Sequence, residues 1–580
     1  MDDRRSTSDG RQHSPEKRDQ VLSRLITLGI ALSAERDHNR LTETILIEAK
    51  NLTGADGGTL YLMSDDRTHL SFHIIRNDTL KIAMGGTTGA AIPFPALALH
   101  DPNTGAPNHH NVATYVALTG KGIVIQDAYT EQGFDFSGTR RFDAGTGYRS
   151  KTFLTVPLKN ISGDVIGVLQ LINARDASGT IIPFSEDIQP LVDSLASQAA
   201  VAIDNQSLLQ GRKNLLDSFV TVIARAIDAK SPYTGGHCER VPVLAEMLAK
   251  AACEAAEGPL ATFDLDDDEW YELHIAGWLH DCGKVTTPEY VVDKATKLET
   301  ITDRIHEVRT RFEVLRRDAE IAMLRSCLDE GVPRPKAEIA FTKRCSELEK
   351  QFEIVAQSNI GSEFMDPATA EKLREIGQQT FTRYFDRTLG LSWEERDRLG
   401  EKERQHPPVL ETLLQDREDH YVNIYNRGEA YCLTVPRGTL TPEERQVIND
   451  HIVVTQDMLE KLPFPPQMRR VPAIAGNHHE KIDGTGYPRG LRGEQMGVTE
   501  KIMAIADVFE ALTAADRPYK TAKKIGECLR ILQSMTQTGH LDTDLFVLFL
   551  QSGVHREYAK RFLHPDQWEE IDIAHYMPKA

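Results

Sequence analysis

Cysteine is scarce in this chain of 580 residues, and its seven cysteines are scattered singly along the sequence. A disulfide framework or a zinc ribbon needs closely spaced thiols, so the sequence argues against both kinds of site. We therefore predict reduced thiols and a cytoplasmic protein.

Positive charge is also in deficit. Lys and Arg number 67 against 86 for Asp and Glu, which gives a formal net charge of −19. General nucleic-acid binding depends on a basic face, so we expect no nucleic-acid partner. A local basic pocket for a small phosphorylated ligand is still compatible with this composition.

Long apolar runs are missing near the N-terminus. The run VLSRLITLGIALSA contains Arg24 and is shorter than the ~20 residues that a helix needs to cross a bilayer. The segment before it is polar and lacks the apolar core of a signal peptide. We expect no membrane segment, and we expect a disordered tail over residues 1–18.

Residues 19–208 have the pattern of an α+β domain. Apolar residues at helical spacing come first, short strand-like runs follow, and a long helix is predicted to begin at Ser185. The strand-like runs are GGTLYLMS, LSFHIIRN, GIVIQDAY, SKTFLTVPLKN and VIGVLQLINA. The last two form a predicted hairpin around the turn NISGD.

This hairpin and its flanking helices resemble a GAF domain, a sensor domain that often binds small ligands, including cyclic nucleotides. The resemblance implies an unknown small ligand at this domain. Asn173 and Phe184 match the nucleotide-binding subgroup only in part. We favour Asn173 as a turn cap and Phe184 as a core residue over direct contacts to a ligand.

Residues 209–230 are predicted to form a helical connector that continues the helix from Ser185. Its apolar stripe is formed by Val220, Ile223, Ala224 and Ile227. Such a stripe is typical of a dimer seam, but it also fits packing within one chain. Both interpretations stay open, and the first one predicts a homodimer.

Five histidines and two aspartates stand out in the helical remainder of the chain. An aspartate inside the apolar pattern IMAIADVFEAL is costly to bury unless it is paired or bound to metal. A histidine-rich, thiol-free donor set favours iron or manganese over structural zinc. Two metals about 3.5–4 Å apart, bridged by an aspartate, suit phosphoester hydrolysis. The predicted ligands are His237, His280, Asp281, His451, His478, His479 and Asp507.

The motifs HDCGK, HHEKIDGTGYP and DRPYK, in this order, resemble the HD-GYP family of HD phosphohydrolases. The resemblance implies an all-α domain with two divalent transition metals, which hydrolyses cyclic di-GMP to pGpG and in many members on to GMP. One alternative is a hydrolase of another cyclic dinucleotide or nucleotide phosphoester. The other is a non-catalytic cyclic di-GMP receptor.

The resemblance also implies roles for individual residues. Asp281 matches the bridging carboxylate and Lys284 matches the lysine near the scissile phosphate, so both are predicted to be catalytic. The predicted substrate contacts are Lys284, Gly486, Tyr487, Arg517 and Lys520. Glu480 and Asp483 are expected to anchor the loop or to orient imidazoles from a second layer.

One departure from the family concerns the number of metals. Tyr233 stands where members with three metals tend to have glutamate. We therefore expect two metals, and the second cleavage, from pGpG to GMP, is the less secure part of the expected reaction.

A second departure is an interruption of the catalytic domain. We predict a first part over residues 231–299, a helical insertion over 300–437 and a second part over 438–580. The insertion could cover the active site, extend a dimer interface or bind a partner. Spacing alone would nominate His306 as the middle histidine ligand, but the helix start LTPEERQVIND favours His451.

Overall fold

The computed structural model describes residues 26–27, 29–32, 34–35, 37–230, 236–362, 364–401, 404–416, 427–514 and 523–578. The predicted tail over residues 1–18 lies outside them. The chain divides into two compact units with the boundary between Leu216 and Asp217, inside the predicted connector. Across the described residues, we find no helix with the length and apolar character that crossing a membrane requires.

The N-terminal unit is an antiparallel sheet with helices on its faces. The strand order is β3-β2-β1-β7-β6-β5, with β4 beside β2 and β8 beside β7. The strands are β1 (Ala55–Met63), β2 (His69–Asn77), β3 (Ile82–Gly85), β4 (Leu97–Ala98), β5 (Ile123–Ile125), β6 (Phe153–Lys159), β7 (Val165–Arg175) and β8 (Ile181–Ile182). From residue 37 onwards, the helices that begin in this unit are α1 (His38–Thr53), α2 (Val112–Thr119), α3 (Ser137–Thr146) and α4 (Gln189–Lys230).

Alternate residues of the strands face opposite sides of the sheet, and this gives the unit a core on each side. In β7, Leu169 and Leu171 join a cluster with α1 and the beginning of α4. Val168, the residue before Leu169, faces the other side and joins a second cluster with α2. The period-2 pattern in the sequence therefore corresponds to two apolar faces.

Several short elements of this unit differ from the prediction. The run GIVIQDAY was predicted as a strand, but only three of its residues form β5. The two-residue strands β4 and β8 were not predicted, because they have no readable alternation. The helices α2 and α3 are also new. Elements this short carry too few residues for a period to emerge.

The side chains of Asn173 and Phe184 are both held by contacts within the N-terminal unit. Asn173 has a left-handed backbone with φ 57°, and its Oδ1 accepts hydrogen bonds from the backbone N–H groups of Lys151 and Thr152 at 2.8 and 3.1 Å. Its Nδ2 donates to the carbonyl of Arg149 at 2.8 Å. Phe184 is buried in the cluster with α1. These contacts agree with a turn cap and a core residue.

The long helix α4 begins four residues later than predicted. Ser185 caps a short 3-10 turn over Glu186–Ile188 instead, and α4 then runs without interruption for 42 residues. Val220, Ala224 and Ile227, three of the four residues of the predicted stripe, are buried within the chain. For these residues, burial favours packing within one chain, which was one of the two interpretations left open. A different stripe is exposed, formed by Leu208, Leu215, Phe219 and Val222, each 58–65% exposed.

The C-terminal unit is helical around the predicted site. Its helices outside the insertion are α5 (His237–Cys253), α6 (Asp267–Leu279), α7 (Glu289–Val292), α13 (Pro442–Glu460), α14 (Val471–Gly476), α15 (Val498–Thr513), α16 (Ile525–Gln537), α17 (Thr543–Gln551) and α18 (Val554–Phe562). A short 3-10 turn over Cys282–Thr286 contains most of the HDCGK motif. The helix boundaries coincide with common capping residues. Thr441 and Glu444, for example, form a capping box at the start of α13.

The insertion has its own apolar core, contributed by residues such as Phe312, Leu348 and Leu373. Its elements are α8 (Ile305–Leu328), α9 (Arg334–Asn359), α10 (Pro367–Gly377), β9 (Thr380–Arg383), α11 (Trp393–Arg398), β10 (Val409–Thr412) and α12 (Glu429–Leu433). The antiparallel pair β9–β10 corrects the expectation of a purely helical insertion.

The insertion leaves the surrounding helical fold and returns to it at one place. The Thr439 hydroxyl donates to the Lys294 carbonyl at 3.0 Å, and the Lys294 ammonium lies 2.8 Å from a carboxylate oxygen of Glu444. Both side chains of this ion pair are almost fully buried. The two halves of the interrupted turn are therefore adjacent in space, as a split turn requires.

Candidate functional site

All seven predicted ligands converge in one region of the C-terminal unit. His237 begins α5, His280 and Asp281 follow α6, His451 lies in α13, and His478 and His479 follow α14. Asp507 lies in α15. Six of the seven are buried and His479 is half-buried. Segments separated by more than 200 residues in sequence thus contribute to one buried polar cluster between the helices of this unit.

One half of the cluster contains His237, His280 and Asp507. The Nε2 atom of His237 lies 3.3 Å from Asp507 Oδ1 and 3.3 Å from the Nε2 atom of His280. His280 Nε2 lies 3.8 Å from Asp507 Oδ1. Their ligand atoms all lie within 4.8 Å of one another, which is the spacing of groups that share a metal ion.

The other half contains His451, His478 and His479, whose ligand nitrogens also lie within 4.8 Å of one another. The ring centroids of His478 and His479 are 4.2 Å apart, and those of His451 and His479 are 5.4 Å apart. The adjacent histidines of the HHEK motif therefore face a common point with the histidine of α13.

Asp281 lies between the two halves. Its Oδ2 atom is 3.3 Å from His237 Nε2 and 3.4 Å from His280 Nε2, whereas its Oδ1 atom is 3.1 Å from His451 Nε2. One carboxylate oxygen is thus directed to each half. This is the arrangement that a bridging ligand needs.

Backbone carbonyls orient three of the imidazoles. His280, His451 and His478 each donate Nδ1–H to the carbonyl three residues earlier, which belongs to Gly277, Ile448 and Ala475 respectively. This contact favours the tautomer with an unprotonated Nε2, the form that binds metals. The Nε2 atoms therefore point into the cluster.

Several polar atoms of the cluster are buried without a hydrogen bond. Within the described ranges, Asp281 Oδ1, His451 Nε2 and His478 Nε2 have no hydrogen-bond partner; the 3.1 Å pair of Asp281 and His451 lacks hydrogen-bond geometry. Buried lone pairs without partners are unfavourable unless another group satisfies them. Five imidazoles and two carboxylates fit a pair of divalent transition metals.

The protonation states of His478, His479 and Asp281 agree with metal binding. Burial lowers the pKa of His478 well below its ordinary value and lowers the pKa of His479 to about 4, so both are neutral at pH 7. Burial alone would raise the pKa of Asp281. The charge of Lys284 and the nearby His280 outweigh it, and the pKa of this carboxyl lies well below its usual range.

A glycine permits the close packing of the HDCGK turn on α13. The N–H of Gly283 donates to the Thr455 hydroxyl at 2.9 Å. A Cβ atom at Gly283 would lie 1.9 Å from the carbonyl oxygen of His451. Any side chain here would separate Asp281 from the helix that carries His451.

The loop over residues 477–490 is anchored by its own acids. Glu480 accepts hydrogen bonds from the backbone N–H groups of Arg489 and Leu491 at 2.7 and 2.8 Å. Asp483 accepts from the backbone N–H of Thr485 at 2.8 Å. Within the described chain, neither acid hydrogen-bonds to an imidazole. Of the two predicted roles, the geometry therefore favours loop anchoring.

The predicted substrate contacts are only partly described. The Lys284 ammonium forms an ion pair with Asp281 Oδ2, and the Lys284 side chain is one-quarter exposed. Tyr487 is half-buried with its ring centroid 4.9 Å from that of His479, and Gly486 precedes it in the same loop. Arg517, Lys520 and also Tyr233 lie outside the described residues.

His306 does not reach the cluster. Its side chain is exposed at the start of α8, where Nδ1 lies 2.7 Å from a guanidinium nitrogen of Arg309. The structure places His451, not His306, beside Asp281.

Sequence reasoning missed Glu510. This carboxylate is 1% exposed and contacts Nδ1 of His237 through one oxygen. Its other oxygen accepts from Arg240 Nε at 2.6 Å. The available signal was a second acid in the apolar run MAIADVFEAL, one helical turn after Asp507.

Two known domain families match the chain. The GAF domain matches residues 37–203, and the HD domain matches residues 422–545. The predicted GAF and HD domains are thereby confirmed. The HD match includes the ligands from His451 to Asp507 and begins after His237, His280 and Asp281 in the sequence.

Several characterised proteins are similar to parts of the chain. The "3'3'-cGAMP-specific phosphodiesterase 1" of Vibrio cholerae is 39% identical over 94 residues, which cover 16% of this chain and 22% of that protein. The "Cyclic di-GMP phosphodiesterase" of Thermotoga maritima is 28% identical over 246 residues, which cover 42% of this chain and 60% of that protein. The chain thus spans less than two thirds of each relative.

A solved structure is similar to another part. It is the GAF domain of a phosphoenolpyruvate-protein phosphotransferase from Acinetobacter, with 13% identity and a TM-score of 0.25. The similarity covers 33% of this chain and 98% of that structure.

Proposed function

We propose that this chain, a GAF domain followed by an HD domain, is a metal-dependent phosphodiesterase that hydrolyses cyclic di-GMP to pGpG. The observation that carries the proposal is Asp281, whose two carboxylate oxygens face two separate groups of imidazoles. The name of the Thermotoga maritima relative supports the substrate.

Two divalent metals, iron or manganese, fit the two halves of the cluster. His237, His280 and Asp507 would hold one, and His451, His478 and His479 the other, with Asp281 contacting both. When bound, such a pair activates water and offsets negative charge on the phosphate oxygens. His478 and His479 are neutral and Asp281 and Asp507 are ionised, as metal binding requires. Burial alone would lower the pKa of His237, but the charge of Glu510 outweighs it and raises this pKa well above its ordinary value, so His237 would release a proton when a metal binds.

In this proposal, Lys284 acts either as a general acid or as a positive charge that balances the phosphate. Its ammonium is beside Asp281 and its side chain is one-quarter exposed, so a phosphate oxygen bound next to Asp281 would lie within its reach. There it can neutralise charge or protonate the leaving oxygen. Tyr487 and Gly486 would form one wall of the substrate site, and we assign phosphate binding to Arg517 and Lys520.

The experiment is a turnover assay with the full-length protein. Purified protein with Mn²⁺ or Fe²⁺ and cyclic di-GMP, followed by chromatography, should yield pGpG. Binding without any product would contradict the enzyme and favour the non-catalytic receptor. A GMP peak would show that the second cleavage also occurs.

A second candidate substrate is 3′,3′-cGAMP. The Vibrio cholerae relatives whose names specify this dinucleotide favour it. Parallel assays with both dinucleotides distinguish the candidates, because the preferred substrate should have the higher kcat/KM. Hydrolysis of 3′,3′-cGAMP alone would overturn the cyclic di-GMP assignment while leaving the metal centre intact.

We also propose a homodimer formed through α4. The exposed residues Leu208, Leu215 and Val222 are seven apart, and Phe219 lies between the last two, which is the repeat of a two-helix seam. Leu215→Glu should shift the protein from dimer to monomer in light scattering. Asn214→Glu adds the same charge to another face and should leave the dimer intact. A wild-type monomer at micromolar concentration would contradict the dimer.

The remaining assignments concern the sensor and the compartment. We propose that the GAF domain binds a small ligand and controls the rate of hydrolysis, since none of the predicted metal ligands lies in it. The seven free cysteines support a reducing cytoplasm. Thermal-shift measurements on the full chain with candidate nucleotides would test the first point.

A further inference from the structure

His237 is held differently from its neighbours in the cluster. His280, His451 and His478 donate Nδ1–H to a carbonyl three residues earlier in their own segments. His237 is the first residue of α5, so no preceding turn of that helix offers such a carbonyl. Its Nδ1 instead meets the carboxylate of Glu510, which lies 273 residues away in sequence.

Two residues of a single helix lie next to the two ring nitrogens of His237. On α15, Asp507 Oδ1 lies 3.3 Å from His237 Nε2, and Glu510, one turn later, contacts Nδ1. Arg240, one turn after His237 on α5, holds the second oxygen of Glu510 at 2.6 Å. Glu510 is thus fixed between two residues of α5 and has little freedom to move.

We propose that Glu510 is a positioning residue that sets the metal affinity of one half of the centre, the half formed by His237, His280 and Asp507. The inference rests on the proposed two-metal function. A carboxylate at Nδ1 keeps the proton on that nitrogen, directs the Nε2 lone pair into the cluster and makes the ligand more basic. Removal of such a partner typically weakens metal binding about 10–100-fold.

The effect should be confined to that half. His451 and His478 are oriented by carbonyls of their own segments, which do not depend on α15. The half formed by these residues and His479 should therefore keep its metal when Glu510 is changed. This selectivity separates positioning from a general loss of stability, which would weaken both sites.

The test is a titration of metal-stripped, full-length protein with Mn²⁺, followed by calorimetry and by metal analysis after desalting. Wild type should bind two ions. Glu510→Gln, which keeps the size but loses the charge, should bind one ion with unchanged affinity and the other about 10–100-fold more weakly. Glu510→Asp keeps the charge on a shorter side chain, so its affinity for the weakened ion should lie between those of wild type and Glu510→Gln. This variant replaces Glu510→Gln in the test if the glutamine variant does not fold.

Two controls isolate the role. Glu429→Gln removes another buried carboxylate, also 1% exposed and paired with Arg311 at 2.6 Å, and should leave both affinities unchanged. Arg240→Gln removes the ion pair but leaves Glu510 opposite His237, so its effect should be smaller than that of Glu510→Gln.

Two results would overturn the inference. Equal affinities of wild type and Glu510→Gln for both ions would show that His237 does not need this carboxylate, while the proposed function would stand. A wild-type protein that binds neither Mn²⁺ nor Fe²⁺ would remove the inference and the proposed function together.

Discussion

The Asp281 carboxylate combines burial with ionisation. Its side chain is 2% exposed, and an isolated charge there would be strongly unfavourable. The Lys284 ammonium and the surrounding imidazoles compensate for the lost hydration and keep the pKa of Asp281 low. An apolar side chain would fill this space with a smaller desolvation penalty. The buried carboxylate therefore points to a binding role for Asp281.

We expect Asp281→Ala to abolish hydrolysis while the GAF domain stays folded. The substitution removes the oxygens directed to both halves, so both metals should be lost and turnover should fall by roughly 100-fold or more. Metal analysis and the chromatographic assay measure the two effects, and circular dichroism checks folding. Near-wild-type turnover would refute the bridging assignment.

Lys297 is a second buried charge, at the junction with the insertion. Its ammonium donates to the carbonyls of Leu433 and Val435 at 3.0 and 2.8 Å. Burial lowers the pKa of Lys297 to about 8 from an ordinary value of 10.5. The unfolded chain therefore binds this proton more tightly than the folded chain between these two values.

Lys297 should consequently make the protein less stable as pH falls from about 10.5 to 8. Over that window its contribution to the free energy of unfolding changes by about 1 kcal/mol per pH unit, and below pH 8 it is constant. Urea unfolding of wild type and Lys297→Met between pH 7.5 and 10 checks this. Parallel curves for the two proteins would contradict the low pKa.

At the scale of the elements, α13 connects the end of the insertion to the cluster of candidate metal ligands. Its first turn is held by the buried pair of Lys294 and Glu444, and its third turn carries His451. The insertion therefore emerges beside the first turn of a ligand-bearing helix and does not displace it. The adjacency of Thr439 and Lys294 explains how a long insertion leaves that helix in place.

This arrangement predicts opposite results for two histidines. His451→Ala should reduce metal occupancy and most of the activity, because its Nε2 lies 3.1 Å from Asp281. His306→Ala should change neither, because its imidazole is exposed on α8. Metal content per chain is the measurement. If the His306 variant lost metal and the His451 variant kept it, the placement of the 300–437 segment would fail.

At the scale of the whole molecule, the chain separates into two units with a boundary at Leu216 and Asp217. Each unit has its own apolar cores, and the seven candidate ligands all lie in the C-terminal one. The candidate metal ligands and the GAF domain therefore belong to separate units of the chain.

A protein beginning at Asp217 should bind both metals and hydrolyse the substrate at an altered rate. The metal ligands do not depend on the GAF unit, while the proposed regulation does. Metal stoichiometry and kcat of the shortened and full-length proteins provide the comparison. A folded fragment without metal would place the boundary elsewhere.

Local patterns were sufficient for much of this protein. Alternation of apolar residues identified β1, β2, β6 and β7, because each of these strands contributes buried residues to apolar clusters on both faces of the sheet. Capping signals identified the start of α13, because they depend on neighbouring residues. The elements β4, β8 and β9–β10 escaped detection, because two to four residues are too few to show a period.

By itself, the sequence determined which residues could serve as ligands, because histidines and aspartates in HDCGK, HHEKIDGTGYP and the run around Asp507 supply the donor types that such metals bind. Only the tertiary structure decided how they are grouped around Asp281, that Glu510 reaches His237, and which stripe of α4 is buried. The physical reason is that these properties depend on distances between residues up to 273 positions apart. Helical periodicity reports that a face is apolar, but packing alone determines what covers it.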